Sequence, residues 1–166
     1  MTTFIEKQYE ANLKSNVELI ELCSTLTDEQ LAVEVEGIYG NIRSLIAHII
    51  EGEGNALRDL TGTNPWSADT DWDNLTFEQL RQMAQQSGKA LCEVAPYTDP
   101  DKLIRYEDDE EIAEFKAWVL INQEIYHGIE HRTQLNALLT KIGVAHPRQD
   151  GWGFASSIGE LKIVEK

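Results

Sequence analysis

The spacing of apolar and polar positions along the chain predicts four long amphipathic helices. Apolar side chains recur about every 3.6 residues in four stretches, which is the spacing that places them on one face of a helix. In the first stretch, about residues 3–24, the loose stripe is formed by Ile5, Tyr9, Leu13, Val17 and Ile20. The other three stretches cover about residues 41–59, 76–95 and 113–142.

The predicted helix ends carry the residues that helix termini prefer. Asn41 is suited to be an N-cap, and Thr76–Gln79 has the form of a capping box. Thr27–Gln30 has the same form and predicts a short helical turn after the first helix. Gly143 fits the position after the last helix, with Pro147 just beyond it.

One segment before the last helix allows two interpretations. Lys102–Tyr106 could form a short strand, with Glu107–Glu111 as a turn, so that a small hairpin precedes the helix. The same residues could instead lead directly into the fourth helix. Outside this segment the pattern predicts an all-α protein, an antiparallel four-helix bundle with one longer crossover connection. The length of 166 residues fits a single domain, residues 1–166.

Composition and charge exclude several classes of partner. The net charge of −15 argues against binding to nucleic acid and against docking on an anionic membrane surface, because both need clustered Lys and Arg. The first residues lack the basic start and apolar core of a signal peptide, and no apolar stretch approaches the ~20 residues of a membrane span. Cys23 and Cys92 have no C-x-x-C spacing, so we expect a cytoplasmic protein with reduced thiols.

The candidate chemistry lies in the histidines. His127 and His131 form an H-x-x-x-H step inside the fourth predicted helix, and His48 lies in the second. Four residues advance a helix by about 400°, so the two imidazoles of the step share one face, together with apolar positions. Two neutral imidazoles at this spacing can bind one divalent cation. The pattern therefore predicts a three-histidine metal site that is closed by folding.

Less specific interpretations stand beside this hypothesis. A histidine on an apolar face is often a hydrogen-bonded core residue, and His146, outside the helix, is expected to be an exposed loop residue. Gly52 lies one turn after His48. Its lack of a side chain allows either close packing of another helix or space for a substrate beside the metal. Arg132 suits a structural ion pair and could also bind a substrate carboxylate.

Four glutamates lie near the histidines in sequence. Any of them could orient a ligand ring through a hydrogen bond, although a solvated helix face is the more common role. Glu124 is the best placed, at about 60° from His127 on the inward stripe. The four are Glu51, Glu53, Glu124 and Glu130.

With these residues identified, the chain resembles the DinB-like family, also described as DinB/YfiT-like metalloenzymes. The resemblance rests on Ser44–His48, on His127–Gln134, and on the Gly143–Pro147 stop followed by Asp150–Phe154. It extends over essentially the whole chain in helix order. One departure is Thr133, where the family often has Gly; this position points away from the histidine stripe.

The resemblance implies a four-helix bundle in which His48, His127 and His131 hold a divalent metal, commonly nickel or zinc. Water or substrate would complete the coordination, as in catalytic sites. Some family members resemble thiol-dependent transferases and isomerases, so a small-molecule substrate and a low-molecular-weight thiol are the expected partners. A homodimer is compatible with the family, and Trp66, Trp72 and Trp118 could anchor an interface, roof a pocket or fill the core.

These observations favour a metal-dependent enzyme that activates a thiol, for S-transfer or isomerisation, or activates water, for hydrolysis. Two rivals remain open. The first is a non-catalytic bundle that binds metal or ligand for sensing or stability, and the second is a metal-free protein with a polar core.

Overall fold

Four long helices dominate the computed structural model, which describes residues 2–107, 112–162 and 164. They are α1 (Phe4–Cys23), α3 (Ile42–Thr61), α4 (Phe77–Val94) and α5 (Ala117–Lys141). Two short helices, α2 (Asp28–Leu31) and α6 (Gly151–Ser157), follow α1 and α5. Strands β1 (Leu103–Glu107) and β2 (Ile112–Lys116) lie between α4 and α5. Single 3₁₀ turns occupy Trp72–Asn74 and Ala95–Tyr97.

Each long helix packs against at least two of the others. Helices α1 and α3 both contact α4 and α5, so the four surround one interior. This interior holds two clusters of buried apolar residues. The first includes Leu45, Leu80 and Leu138. The second includes Tyr9 and Leu91.

A layer of buried polar residues lies between the two apolar clusters. On every long helix, the polar member falls between a residue of one cluster and a residue of the other along the chain. On α3, for example, Glu53 lies between Ile50 of the first cluster and Ala56 of the second. The members are Asn12 and Asn16 on α1, Glu53 on α3, Ser87 on α4, and Glu124 and Arg132 on α5.

The helix starts predicted at Thr27, Asn41 and Thr76 are confirmed. Thr27 and Thr76 both form capping boxes, in which the threonine hydroxyl accepts from the N3 amide and the N3 glutamine accepts from the cap amide. Asn41 caps α3 by accepting from the Ser44 amide. Gly143 follows α5 with a φ of 74°, as the sequence predicted for its position. Each N-cap is worth about 1 kcal/mol, so these ends set where the helices begin.

The stripe predicted on the first helix is rotated from the face that is buried. Ile5 is 37% exposed, whereas the amide side chains of Asn12 and Asn16 are buried. The prediction used the apolar residues alone. The buried face of α1 also carries the hydrogen-bonding side chains of Asn12 and Asn16, which face the polar layer, so the helix is rotated from the predicted orientation.

The segment before α5 forms the hairpin, which corrects the all-α prediction. Strands β1 and β2 pair antiparallel with Ile104 opposite Phe115, and Ile104 is buried. Residues 112–116 therefore belong to a strand, and α5 begins at Ala117 rather than at about 113. The predicted turn over Glu107–Glu111 lies mostly outside the described residues.

Two tryptophans hold the connection between α3 and α4 against the bundle. The indole N–H of Trp66 donates to the Ile50 carbonyl at 3.1 Å, and Trp72 meets Trp66 edge to face. Both pack against the first apolar cluster, whereas Trp118 is exposed. Trp66 and Trp72 are thus part of the packed interior of this chain. Among the described residues, no helix is long and apolar enough to cross a bilayer.

Gly54→Ala is expected to destabilise the protein, although Ala has a higher helix propensity than Gly. A Cβ at position 54 would overlap the indole Nε1 and Cδ1 of Trp66, so the ring must leave α3 and lose its hydrogen bond. Without that clash, Ala would stabilise the helix by about 1 kcal/mol. Urea unfolding and tryptophan fluorescence measure both effects. Gly151→Ala, where a Cβ has open space, is the control. Unchanged or raised stability in Gly54→Ala would contradict this packing.

Candidate metal site

The structure brings His48, His127 and His131 together between α3 and α5. Their ring centroids are 4.5–4.8 Å apart in all three pairs. One nitrogen from each ring can be chosen so that the three atoms lie within 4.8 Å of one another. Three histidines that are far apart in sequence thus form one cluster, as a site closed by folding requires.

Helix periodicity and one glycine place the rings. His127 and His131 are one turn apart on the face of α5 that packs against α3. The His127 ring lies against the backbone of Gly52, where a Cβ would come within 2.8 Å of its Cε1 atom. The space at Gly52 is therefore filled by His127 itself. This contact is the close packing of α5 on α3 that was one of the two interpretations of Gly52.

The Nε2 atoms of the rings are the candidate ligand atoms. Those of His48 and His127 face each other at 3.1 Å. The Nδ1 atom of His131 contacts the Gln134 Oε1 at 3.1 Å. Since an amide oxygen only accepts, this contact requires a proton on Nδ1, and in that tautomer the Nε2 of His131 offers its lone pair to a metal.

Burial and nearby charge keep the imidazoles of His127 and His48 neutral. Burial, followed by repulsion from His131 and then His48, lowers the pKa of His127 to about 4. Burial and His131 also lower the pKa of His48. Neutral imidazole is the form that binds metals, so at neutral pH a metal has little competition from protons.

Tyr39, on the segment between α2 and α3, covers one side of the cluster. Its ring stacks on His48 with the centroids 4.3 Å apart and meets His131 edge to face at 5.9 Å. Tyr39 itself is 51% exposed, so this side of the cluster is in contact with solvent. An aromatic ring that solvent reaches thus lines one side of the cluster.

The buried polar layer lies next to the histidines and centres on Glu53. The Glu53 carboxylate accepts from the amides of Asn12 and Asn16, at 3.0 and 2.8 Å, and hydrogen-bonds the Ser87 hydroxyl. The Ser87 hydroxyl also lies 3.0 Å from the Met83 carbonyl. Because a hydroxyl has one proton, a protonated Glu53 could donate to Ser87 while Ser87 donates to Met83.

Arg132 closes this network from α5. Its Nη1 donates to the side-chain oxygens of Asn12 and Asn16, at 2.6 and 2.8 Å, so the two amides link the guanidinium to Glu53. Burial lowers the pKa of Arg132 to about 10. The geometry gives Arg132 the structural role, rather than contact with a substrate in the histidine cluster.

Glu53 and Glu124 are both buried, so the expectation of a solvated helix face is wrong for them. Burial raises the pKa of Glu53 to about 7, against the opposing effects of Ser87, Arg132 and Asn16. Burial and then the charge of Glu53 raise the pKa of Glu124 to about 8. Glu124 Oε1 lies 3.9 Å from His127 Nδ1, and both atoms are buried without a hydrogen-bond partner.

A cavity of about 620 Å³ lies elsewhere, between α1, α5 and residues 146–151. Its lining includes Arg132, Asn136 and the exposed His146, but none of the three clustered histidines. This cavity is thus on a different side of α5 from the imidazoles. The chemistry of the imidazoles, rather than cavity size, identifies the candidate site.

The histidine cluster fits a divalent metal. Two nitrogens bound to one tetrahedral zinc ion are roughly 3.3 Å apart, given Zn–N bonds of 2.0–2.1 Å. The 3.1 Å between the Nε2 atoms of His48 and His127 is close to this distance. The buried, unpartnered Nδ1 of His127 lies on the other edge of that ring from its Nε2.

Sequence reasoning missed Tyr39 and the partners of Glu53. Asn12 and Asn16 are spaced i, i+4 and recur with Tyr9, Leu19 and Cys23 at helical spacing, a signal that polar side chains share the inward face. Tyr39 carries no such signal, because its position depends on the path of the segment before α3.

Glu53→Gln should change the pH dependence of stability in the metal-free protein. The native pKa of about 7 exceeds the ordinary value of 4.5, so the folded state holds a proton that the unfolded chain loses. The free energy of unfolding therefore falls as the pH rises from about 4.5 to 7. The glutamine variant lacks this loss, so its stability relative to wild type should rise over that range, by at most about 3 kcal/mol.

Urea unfolding at pH 5, 6, 7 and 8 with a chelator present measures this difference. Comparison with wild type cancels the titrations that both proteins share, and Glu130→Gln, at an exposed position, controls for the change in net charge. Parallel curves for wild type and Glu53→Gln would contradict the raised pKa.

Comparisons with known proteins agree with this architecture. A crystal structure of a DinB-like protein from Bacillus subtilis is similar with a TM-score of 0.62 and 14% sequence identity, over 89% of this chain and 98% of that chain. At this identity the likeness supports the fold alone. No curated protein matches the chain. The sequence pattern of the DinB family matches residues 1–160. The chain therefore belongs to the DinB family.

Proposed function

We propose that this protein is a metal-dependent enzyme in which His48, His127 and His131 bind one divalent ion, nickel or zinc. The observation that carries the proposal is the meeting of three imidazoles, two of them with Nε2 atoms 3.1 Å apart. Three protein ligands leave coordination positions open, which is the arrangement of catalytic rather than structural metal sites.

The protein's own residues would prepare the site for chemistry. Burial and mutual repulsion keep the His48 and His127 rings neutral. Gln134 fixes the tautomer of His131. When bound, the metal would act as a Lewis acid that lowers the pKa of a thiol or of water.

We propose the substrate only by its class, a small molecule that reaches the histidines beside Tyr39. The exposed Tyr39 ring would form one wall of the approach to the histidines and offer an apolar face to a small molecule. A low-molecular-weight thiol would make the reaction an S-transfer or isomerisation, and water would make it a hydrolysis. We also propose that the chain is a single domain whose long helices are antiparallel. The same proposal includes a homodimer and a cytoplasmic location.

Two alternatives predict different behaviour. In a metal-free protein with a polar core, the 3.1 Å contact between His48 and His127 is a hydrogen bond from one neutral ring to the other. That bond needs no third imidazole, yet His131 lies equally close to both rings. A non-catalytic metal site for sensing or stability would bind the ion but would not exchange water for a thiol.

Metal binding is expected at near one ion per chain in protein purified without a histidine tag. His48→Ala and His127→Ala should each lose most of the bound nickel or zinc, because each removes one of three ligands. His146→Ala removes an exposed histidine outside the cluster and should keep the metal. Elemental analysis after dialysis measures the content. Wild-type protein that stays metal-free after incubation with each ion would overturn the proposal.

Cobalt substitution tests whether the bound metal takes up a thiol, as an S-transferase or isomerase requires. The visible spectrum of Co²⁺-loaded protein should change when a small thiol is added, because the thiol replaces water at an open position. A spectrum that ignores thiols would remove the transferase version, and hydrolysis would remain.

Gly52→Ala is expected to weaken metal binding by ten-fold or more. A Cβ 2.8 Å from the Cε1 of His127 would push that ring away from the other two. The substitution also favours the helix by about 1 kcal/mol, so the fold should be retained. Chelator competition gives the affinity, and urea unfolding of the metal-free variant gives the stability. Wild-type affinity in Gly52→Ala would show that His127 is not held as described.

A further inference from the structure

We infer that Glu124 is a positioning residue for the metal site, whose Oε1 atom accepts a hydrogen bond from the Nδ1–H of His127 and turns the Nε2 of that ring toward the metal. This inference rests on the proposed metal site and assigns a role to a buried residue that does not itself bind the ion.

The first observation is a pair of unsatisfied polar atoms that face each other. Glu124 Oε1 and His127 Nδ1 are both buried, and neither has a hydrogen-bond partner. They lie 3.9 Å apart, three residues apart on α5. A buried polar atom without a partner costs roughly 1–3 kcal/mol, so two such atoms side by side call for an explanation. A small rotation of either side chain would bring them within hydrogen-bond distance.

The second observation is the surroundings of the His127 ring. Its Nε2 faces His48, so Nδ1 is the nitrogen left to make a second contact. On the α3 side this edge of the ring lies against Gly52, which has no side chain to offer an acceptor. On the α5 side the acceptor at hand is Glu124.

The third observation is that His131 already shows the complete arrangement. Its Nδ1 contacts Gln134 Oε1 at 3.1 Å, again three residues away on α5. Metal-bound histidines usually donate their second N–H to a carboxylate, a carbonyl or water, and such partners fix the tautomer and the ring orientation. Gln134 is placed to do so for His131, and Glu124 is placed to do so for His127.

The inference also explains why α5 keeps a carboxylate at a buried position. Glu124 is 5% exposed, and its Oε1 makes no hydrogen bond in this structure. A group that is desolvated and incompletely bonded adds little to the stability of the metal-free fold. Its benefit would instead appear when a metal fixes the His127 ring, because Nδ1 then becomes an obligatory donor.

Glu124→Ala and Glu124→Gln test the role, with Glu130→Gln as the matched control at an exposed position of the same helix. Chelator competition measures the dissociation constant for Zn²⁺ and Ni²⁺. The alanine variant should bind 10–100-fold more weakly, the range seen when such partners are removed. The glutamine variant should lose less, because its amide oxygen can still accept from Nδ1–H. Glu130→Gln should bind like wild type.

Two further readouts separate positioning from a structural role. Urea unfolding of the metal-free variants should show stability equal to or above that of wild type. In ¹⁵N-labelled zinc-bound protein, the Nδ1 proton of His127 should be observed and protected from exchange. In Glu124→Ala the same proton should exchange rapidly with solvent, while the Nδ1 proton of His131 is unchanged.

If the wild type binds metal and Glu124→Ala binds it with equal affinity, the inference is overturned. The proposed metal site would be unaffected by that result. Loss of affinity with a parallel loss of metal-free stability in both Glu124 variants would also overturn it, because Glu124 would then be structural. Failure of the wild type to bind any of the metals would instead overturn the proposed function.

Discussion

The buried hydrogen-bond network around Glu53 is the constraint on which the rest of the structure depends. It is where all four long helices meet: α1 supplies Asn12 and Asn16, α4 supplies Ser87, and α5 supplies Arg132. Apolar packing alone tolerates small rotations and shifts of a helix, whereas a buried polar group that loses its partner costs roughly 1–3 kcal/mol. The network therefore fixes how each helix is rotated, and it separates the interior into two apolar clusters.

The same constraint positions the candidate chemistry. Arg132 directly follows His131 in α5, and Glu53 directly follows Gly52 in α3. Once Arg132 is bonded to the two asparagines, the adjoining face of α5 presents His127 and His131 to α3. Once Glu53 is in the polar layer, Gly52 opens the space that the His127 ring fills. The histidines thus gather beside the layer, with the His48 and His127 rings half-buried and neutral, and Tyr39 stacks on His48.

Local sequence signals predicted those parts of the fold that local chemistry decides. The capping boxes at Thr27 and Thr76 and the Asn41 cap are where the pattern placed them. Four long helices are present as predicted, although α5 begins at Ala117 rather than at about 113. The H-x-x-x-H step put His127 and His131 on one face because helix geometry allows little else. Contacts between distant segments were beyond that reasoning. The hairpin before α5 depends on pairing between Ile104 and Phe115, and the burial of Glu53 and Glu124 depends on partners from other helices.

The central claim is that folding joins three histidines into a site for one metal ion. A crystal structure of the protein soaked with zinc, with anomalous data collected on both sides of the zinc absorption edge, tests it most directly. The account predicts one strong anomalous peak, about 2.0–2.1 Å from the Nε2 atoms of His48, His127 and His131. A cluster without such a peak, or zinc bound only at the acidic surface, would contradict it.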